Sequence, residues 1–498
     1  MPVIAAVDFL NGLIWSKALI ALCLGVGLYF SIRTRFMQVR GFKEMIRLML
    51  AGHRSESGVS SFQALAMSLS GRIGIGNIAG VATAITFGGP GAIFWMWMVA
   101  FLGASTAYIE STLAQIYKEK DDKGQYRGGP AYYIEKAMGQ KWYAIIFAIV
   151  TVLGTGVLLP GVQANGIAVS VQNAWGVPTT VTAAVTVIAL GTIIVGGVKR
   201  IAAFAQIVVP FMALAYILTT LVIMFINLGE VPRILALIFR SAFGAEAAFG
   251  AVLGLAVEWG VKRGVYSNEA GQGTGPHAAA AAEVSHPAKQ GYVQAFSVYV
   301  DTMLVCSATA FMILSTGQYN VNHPDGSMIV NKLPGMETGP GYTQAAVESV
   351  MPGFGASFVA LALTFFAFTT IVAYYYMAET NVQYINRSVH RPWATLLLKL
   401  AIMASVTYGA IRSAELAWGL GDIGVGLMAW LNLAAILILQ RPALLALRDY
   451  EAQKKAGLDP QFDPDELGIR NAKFWSRRKV AAAPRAGLRR DASVADEA

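Results

Sequence analysis

The 498-residue chain is 55% hydrophobic and only 13% charged. Soluble domains run near roughly 45–50% apolar and about 25% charged, so this composition excludes an ordinary water-soluble enzyme or binding module. The formal net charge of +9 calls for no nucleic-acid partner: Lys and Arg gather in loops on one side of the apolar runs and in the C-terminal tail, the positive-inside pattern of a polytopic α-helical membrane protein.

Eleven spans are predicted, at roughly 12–32, 61–88, 91–117, 142–172, 177–197, 201–228, 242–262, 288–316, 353–379, 393–412 and 415–440. The first follows an N-terminus with no charged n-region and no cleavage site, and is expected to be retained. Its following loop carries Arg33, Arg35, Arg40, Lys43, Arg47 and Arg54. Further basic clusters follow alternate spans: Lys118, Lys120, Lys123, Arg127, Lys136 and Lys141; Lys199 and Arg200; Lys262 and Arg263; Arg387, His390 and Arg391; Arg441, Lys473, Arg477, Arg478 and Lys479. All fall on the cytoplasmic side if the N-terminus lies outside and the C-terminus inside. Cys23 and Cys306 both sit within apolar runs, so no disulfide framework is expected.

With the first span set aside, two groups of five helices remain, with opposite orientation, as an inverted repeat requires. The expected division is 1–60 for the peripheral helix and basic loop, 61–230 and 231–440 for the two halves, and 441–498 for a soluble basic tail, disordered from Ala481. Each half should open on an interrupted helix. The first, 61–97, crowds Gly71, Gly74, Gly76, Asn77 and Gly80 into one short segment. Gly costs about 1 kcal/mol per residue inside a helix, and broken backbone at membrane depth survives only against protein or a water-filled cavity. Either small-residue helix packing or a ligand site explains it. The second, 242–262, carries Gly244, Gly250, Gly254 and Gly260, a softer interruption. The outer loop 317–352 is a gate or a plain connector, with one short helix near 341–350. The stretch 263–287 reads as an inner loop.

Ionisable residues inside spans are functional candidates. Arg72 stands at the break, placed to meet a substrate carboxylate or to pair with Glu110 or Glu258. Glu110, Asp301, Glu379 and Asp422 read as structural or interface partners. Gln163 and Asn165 interrupt an apolar helix, and their amides need partners in a neighbouring helix or a ligand. Thr369 and Thr370 are adjacent mid-span hydroxyls. With backbone carbonyls they suit a small hard cation, unless they bond back to the preceding turn. Tyr374 shares a face with Thr370. No phosphate-cradling loop for ATP, no nucleophile elbow and no paired His spacing is present. SNEAGQGTGPH has nucleotide-loop glycines but lacks the following Lys.

Four blocks, GIGNIAGVATAITFGGPGAIFWMW (74–97), PGVQANGIA (160–168), KRGVYSNEAGQGTGPHAAAAA (262–282) and FAFTTIVAYYYMAE (366–379), resemble the alanine or glycine:cation symporters, the sodium:alanine symporter family. A weaker echo is WGLGDIGVGLMAWLNL (418–433). The resemblance implies an all-α, leucine-transporter-like 5+5 inverted repeat with one peripheral N-terminal helix. It implies no enzyme and no cofactor, but sodium-coupled import of small neutral amino acids, alanine and glycine first, across the cell membrane. It also implies roles by position. The amides of Gly74, Ile75 and Gly76, beside Asn77, would hold the substrate carboxylate. Gln163, Thr370 and Tyr374 would contact substrate. The carbonyls of Ser70, Ile73 and Phe366, with the hydroxyls of Thr369 and Thr370, would hold sodium. Two departures bear on substrate: Ile75 stands where the family commonly has Thr, and Arg72 adds a charge. A sensor that binds an amino acid, or a proton-coupled transporter of a different amino acid, are the alternatives.

Overall fold

In lipid a chain must satisfy its backbone internally, so long apolar runs become helices. The computed structural model describes residues 2–50, 58–195, 197–387 and 391–477. Arg54, His390, Arg478, Lys479 and the segment from Ala481 lie outside them. Shorter turns left aside, the helices in chain order are α1 (Pro2–Ile14), α2 (Lys17–Arg33), α3 (Ser61–Arg72), α4 (Val81–Gly88), α5 (Gly91–Ile116), α6 (Lys141–Leu153), α7 (Leu159–Trp175), α8 (Thr179–Ile194), α9 (Gly197–Ile226), α10 (Val231–Ala242), α11 (Leu253–Asn268), α12 (Gly275–Ala281), α13 (Pro287–Val298), α14 (Ser307–Thr316), α15 (Pro340–Val350), α16 (Gly355–Asn386), α17 (Pro392–Ile411) and α18 (Ala414–Lys455). Only two short antiparallel hairpins accompany them among the described residues.

Among the described residues, and with α6–α7 and α13–α14 each taken as one continuous helix, seven helices are long and apolar enough to cross a membrane, and eight if Val3–Ile14 and Lys17–Arg33, bent by 42°, form one span. The bend at Trp15 and Ser16 means that the first apolar run begins near residue 3, not 12. The other predicted spans depart from a simple rod for identifiable reasons. The stretch 61–88 is interrupted as expected: α3 opens on a capping box between Ser60 and Gln63 and stops at Ile73, which is extended. A wide turn over Gly76–Gly80 then leads into α4. Helix α8 has only 16 residues.

The predicted span 242–262 is where the sequence reading needs correction. Residues 247–252 form a tight 3-10 stretch, and α11 runs from Leu253 to Asn268. The backbone then turns through Glu269, Gly271 and Gly273, all at positive φ, and resumes as α12. The second interruption is therefore 269–274, not the glycines of 244–260. What read as an inner loop, 263–287, is largely buried helix and turn. Lys262 and Arg263 do not mark a loop either: both reach Asp422, at 2.9 and 2.6 Å, near the start of α18. Their guanidinium and ammonium groups stack on Trp259, and Arg263 also on Trp418. A paired, aromatic-shielded cation can sit deep in a bundle, which a count of loop charges does not anticipate.

The C-terminal region also departs from expectation. Helix α18 continues through Pro442 to Lys455, past the predicted span end at 440, and the following segment folds back onto the bundle. The amide of Phe462 donates to Ser285 O at 3.0 Å, and Trp475 Nε1 donates to Gln115 O at 2.8 Å. In the loop 317–352, β1 (Asn320–Asn322) pairs with β2 (Met328–Asn331), and α15 falls where the short helix was predicted.

Candidate functional site

The site is built on the end of α3. Gly74 is required there by close approach: a Cβ would lie 2.5 Å from Thr370 Oγ1 and 2.8 Å from Gln163 Oε1. The freed amides are matched one to one. The Gly74 N–H donates to Asn77 Oδ1 at 2.8 Å, and the Ile75 N–H to Gln163 Oε1 at 2.9 Å. Tyr374, from α16, lies within hydrogen-bond reach of the same Gln163 side chain. A helix N-terminal end with unpaired N–H groups favours an anionic oxygen, and here two amide oxygens occupy those donors.

Ile75 and Gly76 face different neighbours. The Ile75 side chain fills a slot left by Gly166, where a Cβ would come within 2.3 Å of its Cδ1. Gly76 abuts α11, 3.2 Å from Tyr266 Cδ1 and 3.3 Å from Ser267 Cα at its absent Cβ. The two interruptions thus meet. Asn77 ties them together: its Nδ2 donates to Asp301 Oδ1 at 2.7 Å, and the Ser267 hydroxyl donates to the same carboxylate at 2.9 Å. Asp301, expected as an interface residue, is the hub of that junction. The sequence signal for it was a lone acid at mid-span.

On the other side of the break the oxygens converge. Thr370 Oγ1 lies 2.8 Å from Ser70 O, 3.3 Å from Ile73 O and 3.0 Å from Phe366 O. Thr369 Oγ1 lies 2.9 Å from Phe366 O. One hydroxyl proton cannot serve three carbonyls, so the group presents a surplus of acceptors. Each threonine reaches the preceding turn, and Thr370 also bridges to α3. All five residues are buried. Hard oxygen donors without thiol or imidazole suit a small alkali or alkaline-earth cation. No cluster of His, Cys, Asp and Glu able to hold a metal occurs among the described residues.

Arg72 stands apart from these groups. It is 1% exposed, and its Nη1 donates to Gln294 O at 3.1 Å and to the Ser297 hydroxyl. No carboxylate lies within ion-pair distance of it among the described residues, so neither Glu110 nor Glu258 is its partner. Glu110 instead supports the second interruption. It accepts from the Gly271 N–H at 3.2 Å and from Asn432 Nδ2 at 2.7 Å, and Asn432 donates also to Gly271 O at 3.0 Å. Asn165 is structural: its amide donates to Gly409 O and Arg412 O of the α17 end. Sequence reading missed Ser267, Asn432 and Glu269 at this junction. The signal available was the spacing of Gly271 and Gly273 behind SNEA, set aside there as a failed nucleotide loop.

The interrupted helices and their buried polar junction define a helical membrane transporter. The fold is shared with a solved Eremococcus coleocola manganese transporter bound to an aromatic bis-isothiourea compound: TM-score 0.51, 12% identity, 84% of each chain covered. More specifically, residues 2–464 match the sodium:alanine symporter family, and the chain belongs to that family. It is a multi-pass membrane protein of a transporter family, not of an enzyme family. Two curated relatives are similar across nearly their full length. A putative sodium/proton-dependent alanine carrier, YrbD of Bacillus subtilis (strain 168), is 63% identical, covering 94% of this chain and 96% of the relative. A sodium/proton-dependent alanine carrier of Bacillus sp. (strain PS3) is 56% identical, covering 86% and 97%.

Proposed function

We propose that this protein is a sodium-coupled importer of small neutral amino acids, alanine first and glycine second, working by alternating access. The supporting observation is the convergence of the Ser70, Ile73 and Phe366 carbonyls on the Thr370 hydroxyl. Sodium held there, with Thr369 completing five oxygens, would join α3 to α16. Substrate would bind across the same break. Its carboxylate would take the amides of Gly74, Ile75 and Gly76 in place of the Asn77 and Gln163 oxygens. Tyr374, Thr370 and the Ile75 side chain would enclose its small body. Arg72, one turn back, would add positive potential without contact. Each ligand would then stabilise one shared closed arrangement, which is all that coupling requires.

The same reading takes eleven spans with the N-terminus outside and the C-terminus inside. The broken span 253–281 replaces 242–262, and the halves 61–230 and 231–440 are related by inverted topology. Sodium is cargo here. No cofactor, ATP or nucleic acid enters the cycle. Uptake of labelled alanine, glycine and larger amino acids into proteoliposomes, with and without an inward sodium gradient, tests it. T369V/T370V should raise the sodium concentration for half-maximal uptake at least tenfold. Unchanged sodium dependence in a well-folded double variant would overturn the assignment.

A further inference from the structure

The interior holds an unbalanced charge cluster that the reading above does not use. Glu269 is 1% exposed, and neither carboxylate oxygen makes a hydrogen bond of normal geometry; the Thr274 hydroxyl of its own turn is the side-chain donor beside it. It sits in the turn between α11 and α12 at φ 57°, a left-handed conformation uncommon for a non-glycine residue. Its Oε2 lies 3.4 Å from the position a Cβ would take on Gly71, so it faces the end of α3.

The charged and titratable groups around it come from five parts of the bundle: Arg72 of α3, Glu110 of α5, Tyr266 of α11, Asp301 between α13 and α14, and Tyr374 of α16. Three carboxylates therefore surround one guanidinium. Glu110 and Asp301 are each held by several donors. Arg72 keeps Nε and Nη2 unpartnered and makes no ion pair with Glu269. A buried carboxylate with no more than one poorly aligned hydroxyl to serve it is costly when ionised, and the cluster has excess negative charge. The cation that corrects both is the smallest one.

We propose that Glu269 is the proton-binding residue of the transport cycle, taking a proton when its oxygens face the turn unpartnered and giving it up when it closes on Arg72. This rests on the symporter reading and adds the atom that carries the second coupling ion. In the binding step an O–H bond forms on the Glu269 carboxylate with a proton from hydronium, leaving water. In release the proton returns to water as the carboxylate pairs with the guanidinium. An interrupted helix that moves relative to 269–274 changes that pairing, and so links protonation to the shape of the α3 end.

The test uses the full-length protein in proteoliposomes free of sodium, with the outside two pH units more acidic. The wild type should accumulate labelled alanine severalfold over liposomes without a gradient. E269Q should lose that accumulation while keeping at least a third of sodium-driven uptake. Retained proton drive in E269Q, or no proton drive in a wild type that shows sodium drive, would overturn the proposal. A second measurement needs no variant and no substrate. Dicyclohexylcarbodiimide, which attacks protonated carboxyls in apolar surroundings, should label Glu269 in the wild type more at pH 6 than at pH 8, read by peptide mapping. Labelling confined to Glu110 or Asp301 would overturn the proposal. Absence of any alanine uptake by the wild type, with Glu269 labelled as expected, would instead count against the symporter reading.

Discussion

The two interruptions are built on opposite plans. The first, 73–80, satisfies its freed amides with neutral side-chain oxygens from Asn77 and Gln163. A carboxylate can displace such oxygens. The second, 269–274, is fixed by the Glu110 carboxylate on the Gly271 N–H and by Asn432 bridging Glu110 to the Gly271 carbonyl. An acceptor held by two donors at once, as Glu110 is, exchanges its partners less readily than one held by a single donor. On the proposed reading, one break exchanges its partners and the other keeps them.

Substitutions at the two glycines should separate those roles most sharply. G74A drives a Cβ against Thr370 and Gln163 at once, and overpacking of this kind costs about 1–3 kcal/mol. The atoms met are the ends of the side chains proposed to bind, which can swing aside, so alanine uptake should fall on the order of 100-fold, while the thermal midpoint of the purified protein should drop less than in G271A. G271A should do the reverse. Its Cβ meets Leu433 Cδ2 at 2.7 Å, and its φ is +83°. A strained backbone costs about 1–3 kcal/mol, so the midpoint should drop while the alanine concentration for half-maximal uptake stays within threefold. Loss of affinity in G271A without loss of stability would erase the distinction.

Q163A comes next. It removes the amide side chain proposed to contact the bound substrate, a hydrogen bond of about 1–2 kcal/mol, so half-saturation for alanine should rise about tenfold. The smallest effect lies outside both breaks, at Glu135, Tyr384 and Arg387. Burial pushes the Glu135 carboxyl up, but the Tyr384 hydroxyl and the Arg387 guanidinium outweigh it and hold it below its ordinary value of 4.5. A lowered carboxyl contributes stability above its unfolded value, and that contribution is lost as pH falls through the folded one. The stability gap between wild type and E135Q should therefore be constant near neutrality and close below pH 4.5. The pair is partly exposed, so the gap is under about 1 kcal/mol.

The difference between the breaks also explains what could be read from the sequence. The first break advertises itself, because glycines and Asn77 interrupt an otherwise apolar run with no charged residue but Arg72. The second is polar throughout, KRGVYSNEAGQG, and polarity reads as a loop until the partners of Lys262 and Arg263 are known. Those partners, Asp422 and Trp418, are more than 150 residues distant along the chain. Local pattern carries no information on such pairs. Thr369, Thr370 and Gln163 were legible because polar groups on apolar helices are few. That Thr370 would reach the end of α3, and that Arg72 would reach Gln294 and not an acid, depends on packing between helices. The continuation of α18 to Lys455 was hidden by Pro442, which ends a helix only where its neighbours do not support it.

The docked segment after α18 has a consequence for the order of assembly. Val59, just ahead of α3, pairs with the chain at Ala281 and Glu283. That stretch is gripped in turn by Gln115 and Lys118, by Phe462 and by Trp475 through Gln115. Phe462 and Trp475 follow α18 in the chain. This face of the bundle is thus closed only after α18 has been made, so a chain cut within α18 carries an unsealed floor that quality-control proteases can recognise.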